Sequence, residues 1–375
     1  MTTQKTFAPG LEGVIAAETN VSFLDVEAEE IVIRGYDLIE LANKKQYLDV
    51  AYLLIHGDLP SNEEKKALQK ELQGKYHLPS YVSHIFNSLP KQTNMMDALR
   101  TGISVLAHED ETLEDHSETA IKQKAYDLLA KIPTIIADSY HIVNGNEPIK
   151  PDASLSYSAN FLYMMTGNVP TDLEEEIFDQ LLTAYIEHEM PNSTFTARVI
   201  SSTLSDIYGA LTGAVASLKG TLHGGANEAV MYMLLEAKTP ENFEKLIRAK
   251  LANKEKIMGF GHRVYMKKMD PRALLMKEAL KRLVEVKGNE QLLTMCELGE
   301  DMMRNEKGLY PNLDYYAAPV YYLLGVPIEL YTPVFFSSRA AGLSAHILEQ
   351  HSNNRIFRPR VNYLGKRGLH PTTLS

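Results

Sequence analysis

This 375-residue chain is short of several things, and each shortage closes off a class of function. It holds one cysteine, Cys296, so no internal disulfide can form and a reducing compartment is expected. No uninterrupted apolar run is long enough to span a bilayer, and the opening "MTTQKTFAPG" has no apolar signal core, so a cytoplasmic protein without membrane partners is expected. Positive charge is outnumbered. Thirty-eight Lys and Arg face 48 Asp and Glu, and the formal net charge of −10 argues against a general nucleic-acid binder. Heptad runs, low-complexity segments and internal repeats are absent, and no Pro/Gly linker divides the chain. Strand signal is scarce. The length suits one large domain or two intimate ones with a cleft between them.

What is abundant is helix, built around an apolar share of 45%. Ser61 with Glu64 spells a capping box with Gly74 as a stop, and Thr171 with Glu174 repeats the signal before "EIFDQLLTAYIEHEM". Asp270-Pro271 and Thr332-Pro333 each read as N-cap and first-turn proline. "DIYGALTGAVASLKG" carries Gly209, Ala210, Gly213, Ala214, Ala216 and Ser217, a small face suited to close helix–helix approach. The best strand candidates, Val21 to Leu24 and Ile31 to Ile33, predict a small N-terminal hairpin. The fold class expected is mainly α.

Common catalytic patterns are also missing. His188-Glu189 does not begin a zinc motif, because Asn192 stands where the second histidine belongs. His346 and His351 are five apart and fall on different helix faces. No Cys/His spacing suits zinc, so no catalytic metal is expected. No G-x-S-x-G elbow occurs, Cys296 reads as a core thiol, and "GFG" lacks the Walker and Rossmann contexts.

Against that background, two histidines stand between glycines: His223 in "KGTLHGGANEAV" and His262 in "KIMGFGHRVYMKKMDPR". Glycines expose the backbone to a ligand, and imidazole titrates near neutrality. Asp314, in "YPNLDYYAAPVYYLLG", reads as an N-cap or as a general base. Arg339 sits among small and apolar residues, where a charge requires an anionic partner. Residues 351–375 contain Arg355, Arg358, Arg360, Lys366 and Arg367 and no acid, which suits a solvated basic tail or capture of an anion. Arginines that grip carboxylates, a carboxylate base and imidazole acids form the set needed for metal-free carbon–carbon bond formation on a small polycarboxylate.

The motifs "LHGGANEAV", "GFGHRVY…DPR", "PNLDYY" and "SSRAAG", with "GLEGVIAAET", "IRGYDLIELA" and "NNRIFRPRVNY", make the chain resemble citrate synthases and, more narrowly, bacterial 2-methylcitrate synthases. The resemblance implies a two-domain helical fold, with residues 1–224 and 325–375 as the large domain and 225–324 as the small one. It implies that His223 assists enolisation of an acyl-CoA, that Asp314 takes the α-proton, and that His262 protonates the ketone of oxaloacetate. His188, Arg272 and Arg339 would hold oxaloacetate, joined by Arg358 across a homodimer interface. Lys256, Ile257, Met258, Gly259, Phe260 and Gly261 would approach coenzyme A, a substrate rather than a resident cofactor. The product would be 2-methylcitrate or citrate, in propionate metabolism or the tricarboxylic acid cycle. Nothing suggests regulation by NADH. Asn94-Met95 replaces a frequent His-Pro, and Leu343 replaces a frequent tryptophan. Alternatives are a citrate synthase strict for acetyl-CoA, a citryl-CoA lyase lacking its ATP-dependent partner, and a non-catalytic helical scaffold.

Overall fold

The computed structural model describes residues 7–25, 27–261 and 268–371. Near the N-terminus Ser22–Asp25 (β1) and Glu30–Ile33 (β2) pair antiparallel with Leu24 opposite Ile31, so the expected hairpin forms. It gains a two-residue third strand, Tyr36–Asp37 (β3). That strand is too short for an alternation signal, because Asp37 at once caps the first helix by accepting from the Glu40 amide at 2.7 Å.

Sixteen α-helices follow among the described residues. The first seven are Leu38–Lys44 (α1), Tyr47–His56 (α2), Asn62–Gln73 (α3), Ser80–Asn87 (α4), Met95–Leu106 (α5), Glu118–Val143 (α6) and Tyr157–Thr166 (α7). Next come Asp172–Tyr185 (α8), Asn192–Ser201 (α9), Ile207–Lys219 (α10), Ala226–Ala237 (α11) and Pro240–Ala252 (α12). Pro271–Lys287 (α13), Glu290–Lys307 (α14), Leu313–Leu323 (α15) and Tyr331–Ser352 (α16) complete the set. The capping boxes at Ser61 and Thr171 form as read, and Asp270 caps α13 by accepting from the Arg272 amide at 3.0 Å.

Two caps differ from expectation. Helix α16 begins at Tyr331, directly after a 3₁₀ turn, so Thr332 lies inside the helix. Its hydroxyl and amide meet the Glu228 carboxylate of α11, which does the capping from another element. Asp314 is not the N-cap of α15 either. Asn312 is, accepting from the Asp314 amide at 3.1 Å, and this leaves the Asp314 carboxylate free of capping work.

Helix α16 is the axis of the molecule, buried without interruption from Tyr331 to Ile347. A helix apolar or small all round belongs in a core, and α16 packs on α2, α6, α8, α9 and α10. Helices α11 to α15 pack mainly on one another and meet the rest chiefly through α1, α8 and α16. The small face of α10 lies against α9 and α5 as its composition predicts, and a Cβ at Gly213 would come within 2.2 Å of Ile200 Cδ1. Cys296 is buried in α14, where burial raises its thiol pKa, consistent with a core thiol.

Gly342 of α16 faces the turn after α8. A Cβ there would lie 2.3 Å from Glu187 Oε2 and 2.6 Å from the Ile186 carbonyl. Gly342→Ala is therefore expected to destabilise the protein by about 1–3 kcal/mol, although alanine favours helix. Urea denaturation checks this, and unchanged or increased stability would show that the turn relaxes freely.

Candidate active site

The C-terminal end of α8 organises the site. The last carbonyls of a helix have no partner within it and carry partial negative charge. Here they are used by arginines. Arg339 of α16, only 3% exposed, donates from Nε to the Tyr185 carbonyl at 3.1 Å. Arg272 of α13, 4% exposed, reaches the Ala184 carbonyl from Nη1 at 3.5 Å.

Arg272 is also gripped by Asp270, through Nε to Oδ1 at 3.0 Å and Nη2 to Oδ2 at 2.7 Å. Asp270 is fully buried and accepts the Leu313 amide at 3.3 Å, so one carboxylate caps α13, holds Arg272 and anchors the start of α15. Arg339 has no such partner: among the described residues no carboxylate lies within ion-pair distance of it. Its guanidinium lies over the Phe335 ring at 4.5 Å. Burial, with Arg272 nearby, brings its pKa down to about 10, against the pull of Glu187 and Asp314.

Asp314 occupies the first turn of α15. The residue is half-buried by surface, but its carboxylate lies deep, and this burial raises its pKa. The Tyr185 hydroxyl, donating to Oδ1 at 2.6 Å, and the Arg272 and Arg339 charges work in the opposite direction. The net effect is a carboxyl whose pKa lies above the ordinary aspartate value, in a poorly solvated place.

His223 follows α10 in a half-buried turn. Its Nε2 accepts the Ser193 amide at 3.1 Å and lies 2.9 Å from the Ser193 hydroxyl. Ser193 is in the first turn of α9, whose amides and dipole disfavour a cation. Burial and the Arg339 charge lower the imidazole pKa to about 4. The ring is neutral at physiological pH, and with Nε2 accepting, Nδ1 carries the proton.

His188 is buried in the turn between α8 and α9, where Glu189 takes a φ of 62°. Its neighbour Glu187 accepts from Ser22 Oγ at 2.9 Å and His346 Nε2 at 3.1 Å. Burial pushes the Glu187 carboxyl up, but His346, Arg339 and Ser22 outweigh it and hold it below the usual value. Arg198 donates to His346 Nδ1 at 3.1 Å and pairs with Glu349 at 2.7 Å. His346 thus braces the site from behind.

The segment Lys256–Gly261 is pinned to the strand-like approach to Asp314. Phe260 bridges Pro311, the Gly261 amide reaches the Tyr310 carbonyl at 3.0 Å, and the Asn312 amide reaches the Gly259 carbonyl at 2.9 Å. Gly259 has a φ of 85°, and a Cβ there would meet Val230 at 2.7 Å and Tyr315 at 2.9 Å. Ile257 and Phe260 are buried, whereas Lys256 is exposed.

Arg272, Arg339, Asp314 and His223 are therefore brought into one electrostatic cluster, while Arg358 is not. It lies exposed on the extended C-terminal segment, with no hydrogen bond or ion pair among the described residues. His262 lies outside the described residues. Tyr185, Asp270, Glu187 and Ser193 were not singled out as site residues by the sequence. Only Asp270 carried a signal, and it pointed to a cap. Among the described residues no group of three or more His, Cys, Asp or Glu could hold a metal ion, and no helix is long and apolar enough to cross a membrane.

Buried guanidiniums beside a deep carboxylate and a neutral imidazole define an enzyme built for a small polyanion. The family model described as "Citrate synthase, C-terminal domain" matches residues 10–360, and the chain belongs to the citrate synthase family. It is 62% identical to a "Citrate/2-methylcitrate synthase" of Bacillus subtilis, over 96% of this chain and 97% of that one. It is 63% identical to a "Citrate synthase" of Heyndrickxia coagulans, over 97% of each chain. A solved ternary complex of carboxymethyl coenzyme A and oxaloacetate with citrate synthase from Thermoplasma acidophilum superposes with a TM-score of 0.91 at 30% identity, covering 98% of both chains.

Proposed function

We propose that this chain condenses an acyl-CoA with oxaloacetate and hydrolyses the thioester, giving 2-methylcitrate from propionyl-CoA, citrate from acetyl-CoA, and free CoA. The observation that carries the reading is the buried Arg339, unpaired among the described residues, beside Arg272 and Asp314. Oxaloacetate supplies the carboxylates this charge requires, and charge-assisted hydrogen bonds contribute about 1.5–3 kcal/mol each. His188 completes that pocket.

Asp314 takes the α-proton of the thioester, and the neutral His223 ring donates an N–H to the carbonyl oxygen as the enol forms. The enol carbon attacks the oxaloacetate ketone, and His262 delivers a proton to the new alkoxide. Water then cleaves the acyl–sulfur bond, leaving a carboxylate and the CoA thiol. Lys256–Gly261 receives the coenzyme A side of the substrate. Helices α11 to α15, within residues 225–324, act as a small domain that closes over the ketone and excludes water until condensation. Arg358 serves the partner subunit of a homodimer, which accounts for an exposed arginine with no hydrogen bond or ion pair among the described residues.

Asp314→Asn is expected to lower condensation by about 10²–10⁴-fold while oxaloacetate still binds. Thiol release and calorimetric titration measure the two, and near-normal turnover would remove Asp314 as the base. Mixing Arg358→Ala subunits with Asp314→Ala subunits should recover up to about a quarter of native activity by random assortment. No recovery from subunits shown to exchange would count against a shared site. Propionyl-CoA and acetyl-CoA should both be used, with propionyl-CoA used well. One methylene in an apolar pocket is worth only about 10–200-fold. A preference for acetyl-CoA above about tenfold in kcat/KM would favour the strict citrate synthase instead.

A further inference from the structure

We infer that Tyr185 is a positioning residue for the base: its buried hydroxyl donates to Asp314 Oδ1 at 2.6 Å, fixes the orientation of the carboxylate, and leaves Oδ2 to take the substrate proton. This rests on the proposed role of Asp314. Tyr185 is 2% exposed, and its ring is fixed between Phe335 at 4.4 Å and Tyr321 at 6.4 Å, so the hydroxyl has little freedom to turn away. The same residue's carbonyl holds Arg339 at 3.1 Å. One residue therefore sets the base through its side chain and a substrate-binding arginine through its backbone.

The groups facing Asp314 define what Tyr185 must offset. Helix α13 and its cap bring Arg272 and Asp270, α16 brings Arg339, and α15 itself brings the Tyr321 hydroxyl. Helix α11 contributes the uncharged Asn227 amide beside Tyr185, and Glu300 of α14 is committed to Tyr316 and Lys277. Asp270 repels the base and is itself tied to Arg272, so among the described residues the Tyr185 hydroxyl is the one neutral side chain that donates a hydrogen bond to the carboxylate. A hydrogen bond made to the charged form lowers a carboxyl pKa, and its loss raises it. Since the base works deprotonated, losing the hydroxyl moves the acid limb of the rate profile to higher pH.

The test uses the full-length enzyme. Profiles of kcat against pH at saturating oxaloacetate and propionyl-CoA are measured for the native protein, Tyr185→Phe and Tyr321→Phe. In parallel, the carboxyl carbon of Asp314 is titrated by NMR in ¹³C-aspartate-labelled protein and assigned with Asp314→Asn. Tyr321 is the control, because its hydroxyl is buried without a hydrogen-bond partner among the described residues. Tyr185→Phe keeps the ring stack and should raise both the acid limb and the NMR pKa by about one to two units, with KM for oxaloacetate unchanged within about twofold. Tyr321→Phe should move neither. If Tyr185→Phe does not fold, 3-fluorotyrosine at position 185 gives a more acidic donor and should move the limb downward. An unmoved limb in the Tyr185 variant that folds, or equal shifts in both phenylalanine variants, overturns the inference. Retained turnover in Asp314→Asn would instead overturn the base assignment on which it rests.

Discussion

Two guanidiniums are buried close to one another, and much of the surrounding structure serves to make that tolerable. A lone buried charge is strongly destabilising, and like charges in a poorly polar interior aggravate it. Arg272 and Arg339 are offset by four different devices: the terminal carbonyls of α8, the bidentate grip of Asp270, the ionised Glu187 and the face of Phe335. Arg272 has a carboxylate partner in Asp270, whereas among the described residues Arg339 has none within ion-pair distance. In the proposed reading, the carboxylates of oxaloacetate supply the partner that Arg339 lacks among the described residues, so substrate affinity would follow from this electrostatic imbalance.

The same imbalance explains features distant from any reacting atom. His346, Arg339 and Ser22 together hold the Glu187 carboxyl below its usual value, and His346 is in turn held by Arg198 and its partner Glu349. Ser22 comes from the small sheet, Arg198 from α9 and His346 from the central helix α16. The N-terminal strands are thereby tied to the Glu187 carboxylate beside the buried arginines. Gly342 belongs to this arrangement too, since any side chain there would displace the Glu187 carboxylate.

Much of this was legible in the sequence where a local rule acted alone. The capping boxes at Ser61 and Thr171, the Asp270-Pro271 start and the small face of α10 all depend on neighbours a few residues away, and all formed as read. Thr332 and Asp314 misled because their first-turn partners come from elsewhere: Glu228 lies in another helix, and Asn312 precedes Asp314 by two residues and takes the cap first. The short β3 was missed because two residues cannot display a period. Family motifs located His223, Arg272, Arg339 and Asp314, which the fold does gather. Tyr185, Glu187 and Ser193 left no trace in local pattern, because each acts across a sequence gap of 30 residues or more, from 30 for Ser193 to 129 and 159 for Tyr185 and Glu187.

One further coupling follows from the bridge between Phe260 and Pro311. The Gly259 carbonyl accepts the Asn312 amide, and Asn312 also caps the helix that carries Asp314 and reaches the Gly261 carbonyl at 3.2 Å. The proposed coenzyme A loop and the base are therefore parts of one small hydrogen-bonded body rather than two independent elements. Gly259 permits this because its positive φ turns the chain while Val230 and Tyr315 close in on its α-carbon. The arrangement matters because acetyl and propionyl groups differ by a single methylene, too little to be separated strongly by pocket contact alone. Proton abstraction is far more sensitive to position, since an error of about 1 Å costs about a hundredfold. Under the proposed roles, selectivity between the two thioesters would depend on how this loop seats the acyl carbon relative to Asp314, more than on how large a cavity is left for the extra carbon.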